Sequence, residues 1–208
     1  MSNKNTKLQI VLLIAIVLVG VLVSSVLYLK NSVEIFDDKL FNLNLENEQN
    51  KDNILSLLEN ERFRIESDDL SIDKDQYIFK SETDSVTLDN LVKKHERLLV
   101  FRYSELNCMI CVDQEIVHLV KLLKETKTKI IIITTYIEIQ DLFLFKRTNQ
   151  LADIDIYNLK EPFVNIPIEN YDVPYYFVFD SGYKLRNLFV PNKLYEKQSK
   201  KYLGYICE

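Results

Sequence analysis

The pattern of apolar and polar positions changes character twice along the chain. Between Ile10 and Leu29 lie twenty residues without a charge, nearly all Ile, Val, Leu and Ala, interrupted only by Gly20, Ser24, Ser25 and Tyr28. About 20 such residues make a helix long enough to cross the hydrocarbon core of a bilayer. A helix apolar on every face would otherwise need a large protein around it, and a chain of 208 residues does not supply one. Cleaved signal sequences have a shorter apolar stretch, about 7 to 15 residues, and Val23-Ser24-Ser25 is only a passable cleavage site. Residues 1–30 are therefore expected to form a cytoplasmic tip and a retained transmembrane anchor. Lys4 and Lys7 ahead of the run, against Lys30 and Lys39 behind it, weakly favour an amino terminus in the cytoplasm and a single pass through the cell membrane, with the remainder outside.

Residues 31–75 are rich in Asn, Asp and Glu and contain no Gly or Pro. Ile54, Leu57, Leu58 and Glu61 follow helical spacing, which predicts one or two short helices in an acidic stalk. Apolar heptads sustained over three or four repeats, the mark of a coiled coil, are not present.

From residue 76 the pattern alternates. Gln76 to Lys80 and Ser85 to Thr87 read as a short hairpin, Asp89 to Lys94 as a brief helix, and Leu98 to Tyr103 as a strand. An amphipathic helix follows Cys108, with Ile116, Leu119, Val120 and Leu123 on one face. Lys129 to Thr135 is a continuous apolar strand, the kind buried on both faces of a parallel sheet between helices. Glu138 to Asn149 reads as another helix, and Tyr175 to Phe179 with Lys184 to Phe189 as an antiparallel hairpin turning through Asp180-Ser181-Gly182-Tyr183. Leu194 to Ile206 closes the chain as an amphipathic helix with Lys193, Lys197, Lys200 and Lys201 in solvent. The fold class is α/β, a mixed central sheet flanked by helices over residues 76–208.

Composition narrows the functions available. The net charge is -5, and it divides as +3 over residues 1–30, -7 over 31–80 and -1 over 81–208. Charge thus lies mostly outside the predicted domain, and nothing suggests a strongly basic nucleic-acid binder.

The chemistry centres on Cys108-Met109-Ile110-Cys111 at the start of the helix after the first domain strand. Two thiols three apart share the first helical turn, and the first faces free amides and the positive end of the helix dipole, which stabilises its thiolate. A thiolate attacks a disulfide, and a second cysteine releases the mixed disulfide. Three other uses of such a pair exist. A structural zinc site needs four ligands, and beyond the pair only Cys207, His95 and His118 remain. Haem attachment needs His after the second Cys, where Val112 stands. An inert structural disulfide is the plainest alternative. Neither metal nor cofactor is expected. His95 and His118 read as incidental, and Cys207 as a free thiol on the last helix.

The element order, the Cys pair at the first helix and Val173-Pro174 before the hairpin resemble the thioredoxin-like family, of the membrane-tethered thiol-disulfide oxidoreductase type. The resemblance covers residues 76–208. It implies Cys108 as nucleophile, Cys111 as resolving thiol, and a cis Pro174 that, with Val173, lies against an extended substrate strand. Protein disulfides or dithiols would be the partners, with a membrane or soluble electron donor or acceptor. Departures exist. Tyr103-Ser104-Glu105-Leu106-Asn107 replaces the family's common Phe-Trp-Ala-x-Trp, the chain has no Trp, and Met109-Ile110 stands where Gly-Pro is frequent. Peroxiredoxins share the fold but want Thr where Glu105 stands. Glu105 is a proton shuttle for Cys111 if buried and idle if exposed; Arg102 either pairs with it or points into solvent. The competing reading is a binding or scaffold module in which the pair only staples the domain.

Overall fold

A computed structural model of the chain describes residues 2–95 and 97–207, with side chains from residue 12 onward. Helix α1 runs unbroken from Ser2 to Ser67. No Gly or Pro interrupts it after Gly20, so no local breaker ends it between residues 31 and 67. The short helices expected there are a single helix. The chain divides into compact units between Asn53 and Ile54, so the second unit begins well before residue 76. In the first unit the apolar side chains from Leu12 to Leu29 are exposed on all sides. By length and composition this is a helix able to cross a membrane, and none of its apolar window is buried in the protein.

The second unit is built on a seven-stranded sheet in the order β2-β1-β5-β4-β3-β6-β7. Its strands are β1 (Tyr77–Phe79), β2 (Ser85–Thr87), β3 (Arg97–Ser104), β4 (Lys129–Thr135), β5 (Asp155–Asn158), β6 (Tyr175–Asp180) and β7 (Leu185–Phe189). The helices are α2 (Leu88–Val92), α3 (Met109–Leu122), α4 (Ile139–Thr148) and α5 (Glu196–Cys207), with a short 3-10 turn at Pro167–Tyr171. Strands β3 and β4 run parallel, Val100 opposite Ile131, and β4 and β5 continue the parallel arrangement. Against them β6 pairs antiparallel with β3, Val100 opposite Phe177, and β7 returns antiparallel to β6. The crossover β3-α3-β4 followed by the hairpin β6-β7 and the closing helix α5 is a thioredoxin-like fold, with β1, β2 and β5 added at one edge.

Both faces of the central strands are buried because their apolar runs are continuous rather than alternating. Leu98, Val100, Ile131, Ile133, Tyr175, Phe177 and Phe179 face one layer, with α2 and Phe63 of α1. Their chain neighbours Leu99, Phe101, Ile130, Ile132, Tyr176 and Val178 face the other, against Val112, Ile116 and Leu119 of α3, Leu142 and Phe145 of α4, and Leu203 and Ile206 of α5. The period-2 reversal of side chains along a strand is what feeds two cores from one run.

The last turns of α1 belong to this unit. Asn60 donates through Nδ2 to the Val190 carbonyl at 3.0 Å and accepts the Val190 amide on Oδ1 at 2.5 Å. Phe63 is buried and meets Tyr171 edge-on, ring centroids 4.9 Å apart. Asp69, in the left-handed region at φ 67°, turns the chain away from the helix axis. Ser71 then bridges to Lys184.

Candidate active site

Strand β3 ends at Ser104 and hands the chain to a four-residue loop that is fixed from within. The Asn107 side chain is buried and accepts the Ser104 amide at 2.8 Å, while the Asn107 amide donates to the Ser104 carbonyl at 3.1 Å. The Glu105 amide donates to the Thr135 carbonyl at 3.1 Å, tying the loop to the end of β4. Cys108 therefore enters α3 from a braced position. It caps the helix, and no side chain closes a cap hydrogen bond on the first-turn amides. The Cys111 and Ile110 amides act on its sulfur, the Cys111 amide also donating to the Cys108 carbonyl at 3.0 Å.

Cys108 is exposed and Cys111 partly buried, and neither is in a disulfide. The Cys108 pKa is lowered, first by the Cys111 amide and then by the Cys111 thiol, with smaller help from the charge of Lys193 and the Ile110 amide. Burial pushes the Cys111 thiol up to about 11, and the neighbouring Cys108 and the carboxylate of Glu115 push the same way. The thiolate is thus favoured at Cys108 relative to Cys111, which is held protonated. Around them Leu106, Met109 and Ile110 present apolar side chains to solvent.

Beside the loop lies a cavity of about 170 Å3 whose wall includes residues 104–107, Ile137, Asp172 and Val173. It brings Glu105 and Val173 to one place. Pro174 is buried at the head of β6. Extending the β3–β6 register by two residues sets Pro174 opposite Tyr103 and Val173 opposite Ser104. The expected cis bond is absent: no peptide bond among the described residues is cis. A trans X-Pro bond is the lower-energy form, and here the chain reverses one residue earlier, where Asp172 takes the left-handed region at φ 49°.

The charged residues differ from the sequence reading. Arg102 neither pairs with Glu105 nor reaches solvent. It is buried and grips Glu169 of the 3-10 turn through Nε at 2.8 Å and Nη2 at 3.0 Å, and Nη2 also reaches Thr135 Oγ1 at 2.8 Å. Glu105 is partly exposed, its Oε2 accepting the Ile137 amide at 3.3 Å. The carboxylate whose charge acts on Cys111 is instead Glu115, one turn further along α3. Glu115 is buried and accepts the Tyr176 and Ser199 hydroxyls, both at 2.9 Å. His118 is also buried, and its Nε2 lies 2.9 Å from Glu196 of α5. The i, i+4 spacing of Cys111 and Glu115 on one helix face was a readable signal; the partners on β6 and α5 were not. Cys207 sits partly buried with its thiol pKa raised by burial, and Thr126 donates to its carbonyl at 3.3 Å.

The crossover, hairpin and closing helix around the paired thiols have the arrangement of a thioredoxin-like fold. No protein-family model and no curated protein matches the sequence. Among solved structures, a protein of Aquifex aeolicus described as a candidate electron transfer protein is similar, at 12% identity and TM-score 0.49, over 66% of this chain and 94% of that one. The thioredoxin domain of a thiol-disulfide oxidoreductase from Bacteroides vulgatus is similar at 16% identity and TM-score 0.45, over 66% and 96%. A thiol:disulfide interchange protein from a Bacteroides species is similar at 14% identity and TM-score 0.45, over 66% and 89%.

Proposed function

We propose that the chain is a membrane-anchored thiol-disulfide oxidoreductase acting on extracytoplasmic proteins through Cys108 and Cys111. One observation carries this reading: the two thiols are unlike, Cys108 exposed with a lowered pKa and Cys111 partly buried with its pKa raised to about 11. An inert staple has no need of that asymmetry, whereas a nucleophile and a resolving thiol require it.

The Cys108 thiolate attacks one sulfur of a target disulfide, forms an intermolecular S–S bond and expels the other target sulfur as a thiolate. Cys111 then loses its proton and attacks Cys108 Sγ, and the second target sulfur leaves. Each departing thiolate takes a proton from solvent. Two electrons pass to the target, and the pair becomes a disulfide. The reverse sequence oxidises a target dithiol. Direction follows from the reduction potential of the pair, where 30 mV corresponds to about 1.4 kcal/mol, and a membrane or soluble electron donor or acceptor completes the cycle. Val173 and Pro174 supply the edge against which the target segment lies. The apolar run of α1 supplies the anchor.

The test is disulfide exchange on insulin. Cys108→Ala abolishes reduction, and Cys111→Ala accumulates mixed disulfides that survive on a non-reducing gel. Full activity in the Cys108 variant overturns the reading.

A further inference from the structure

Helix α1 carries an apolar stripe that its own chain leaves uncovered. Every residue from 31 to 52 is exposed. Val33, Phe36, Leu40 and Leu43 follow the alternating three-and-four spacing that lines up side chains on one helix face. The same spacing runs on through Asn47 and Asn50 to Ile54 and Leu57. The two polar positions hide the repeat in the sequence, because separate short helices would leave its halves without a common phase. One unbroken helix from Ser2 to Ser67 keeps them in line. The six apolar side chains of the stripe are 42 to 62% exposed, although residues of these types are ordinarily packed.

The stripe also avoids the side of α1 that meets the sheet. Ile54 and Asn60 are six residues apart, as are Leu57 and Phe63, and six residues amount to about 120° around a helix. Asn60 bonds Val190 and Phe63 is buried, while Ile54 and Leu57 stay exposed. A partner lying along the stripe leaves those contacts in place.

We propose that this stripe is the seam of a parallel two-stranded coiled coil formed with a second copy of the chain. Residues 33–60 make four heptads, enough for a coiled coil to hold. Val33 and Ile54 stand at the first core position of their heptads, and Leu43 and Leu57 at the second. Branched residues at the first position with leucine at the second favour two strands. The Asn pair sets the register. In register each asparagine meets its own counterpart, amide to amide; a slip of one heptad sets Asn47 against Leu40 or Ile54 and leaves a buried amide unpaired. Glu46 and Lys51 flank the Asn pair at the two positions that face each other between parallel strands, and their charges are opposite.

The reverse orientation fits less well. Antiparallel strands that keep the asparagines together put Val33 against Arg64 and Phe36 against Glu61. The parallel choice also rests on the anchor proposed above, since two copies crossing one membrane in the same sense run side by side in the same direction.

The test uses the full chain in membranes, with Cys108, Cys111 and Cys207 changed to Ser. Single cysteines are placed on the seam by Leu40→Cys, Leu43→Cys, Asn47→Cys and Ile54→Cys, and off it by Asp38→Cys, Phe41→Cys, Leu45→Cys and Asp52→Cys. Copper phenanthroline then drives disulfide formation. Parallel strands in register bring each seam cysteine against its own copy, so seam positions should cross-link about tenfold more than the others. Phe41 and Leu45 are as apolar as the seam and control for mere stickiness. Uniform cross-linking would reveal chance collision, a maximum at Phe41 and Leu45 would place the contact on another face, and cross-links near Asn47 alone would make the strands antiparallel. Each of these results overturns the proposal. In the otherwise unaltered chain, Leu40→Glu with Leu43→Glu should halve the mass of the detergent-solubilised protein, while the urea midpoint of the sheet unit stays at the wild-type value; an unchanged mass overturns the seam. Release of the wild-type chain from membranes by alkaline carbonate fails the anchor reading instead, and the cross-linking pattern of the released chain still decides the seam.

Discussion

The guanidinium of Arg102 and the carboxylate of Glu169 meet as two parallel contacts, 2.8 and 3.0 Å long, in the wall of the cavity beside the thiol loop. Their side chains are only 2% and 11% exposed. The Tyr175 hydroxyl donates to the same carboxylate at 2.6 Å, and Arg102 also donates to the Tyr103 carbonyl. One arginine thus ties together the end of β3, the end of β4, the 3-10 turn and the start of β6, the elements that surround the loop before Cys108.

Removing one member of this pair leaves the other buried without its partner, which costs about 3 to 5 kcal/mol in comparable cases. Arg102→Met should therefore lower the urea midpoint sharply. The double variant Arg102→Met, Glu169→Gln should recover much of the loss, because no lone buried charge remains. Equal destabilisation in the single and double variants would show that packing of the arginine stem, not the ion pair, holds this wall.

The two thiols should separate in an alkylation titration. A thiol reacts as its thiolate, which forms as pH rises through the pKa. Cys108, with its pKa lowered by the Cys111 amide and thiol, should label at lower pH than Cys111, which reacts only toward pH 11. Lys193→Gln should raise the Cys108 midpoint at low salt, with the difference fading at high ionic strength as screening grows. Iodoacetamide rates followed by mass spectrometry at each cysteine check both statements.

The central elements were legible because their signals are local. Strand β4 matches the predicted Lys129 to Thr135, and β3 runs one residue beyond the predicted Leu98 to Tyr103 at each end. Continuous runs of Ile, Leu and Val bounded by polar residues admit few other readings. Strand β5 was invisible: Asp155 to Asn158 is four residues with neither alternation nor a long apolar run, and it exists because β4 offers it a parallel edge. The Cys pair was legible from spacing and position. Its buried companions were not, since Glu115 meets Ser199 across 84 residues and Arg102 meets Glu169 across 67. No local pattern encodes such pairs; they follow only once the sheet order is known.

Acid should loosen the attachment of α5. The Lys200 ammonium, followed by His118, holds the Glu196 carboxyl at about 2, below its ordinary 4.5. A carboxyl whose folded pKa is depressed adds stability above its unfolded pKa and loses it as pH falls through the folded one. The contribution is thus complete above pH 4.5 and gone by about pH 2. Thermal melts of wild type and Glu196→Gln should diverge at pH 6 and converge near pH 2. Parallel curves over the whole range would remove Glu196 from the docking of α5.

Where the folded unit starts decides which truncation survives. A chain beginning at Ile54 keeps Asn60, bonded to Val190, and the buried Phe63. A chain beginning at residue 76 loses the paired hydrogen bonds of Asn60 to Val190, the buried ring of Phe63, and Ile72. Deleting a buried Phe side chain alone costs about 3 to 5 kcal/mol, a large part of the stability of a small domain. The 54–208 chain should therefore unfold cooperatively in urea with two-state behaviour, while the 76–208 chain should unfold at much lower denaturant or lose its cooperative transition. Asn60→Ala in the longer chain should cost about 1 kcal/mol, the loss of a hydrogen bond at a partly buried backbone donor. Equal midpoints for the two truncations would mean that the end of α1 rests on the domain without supporting it.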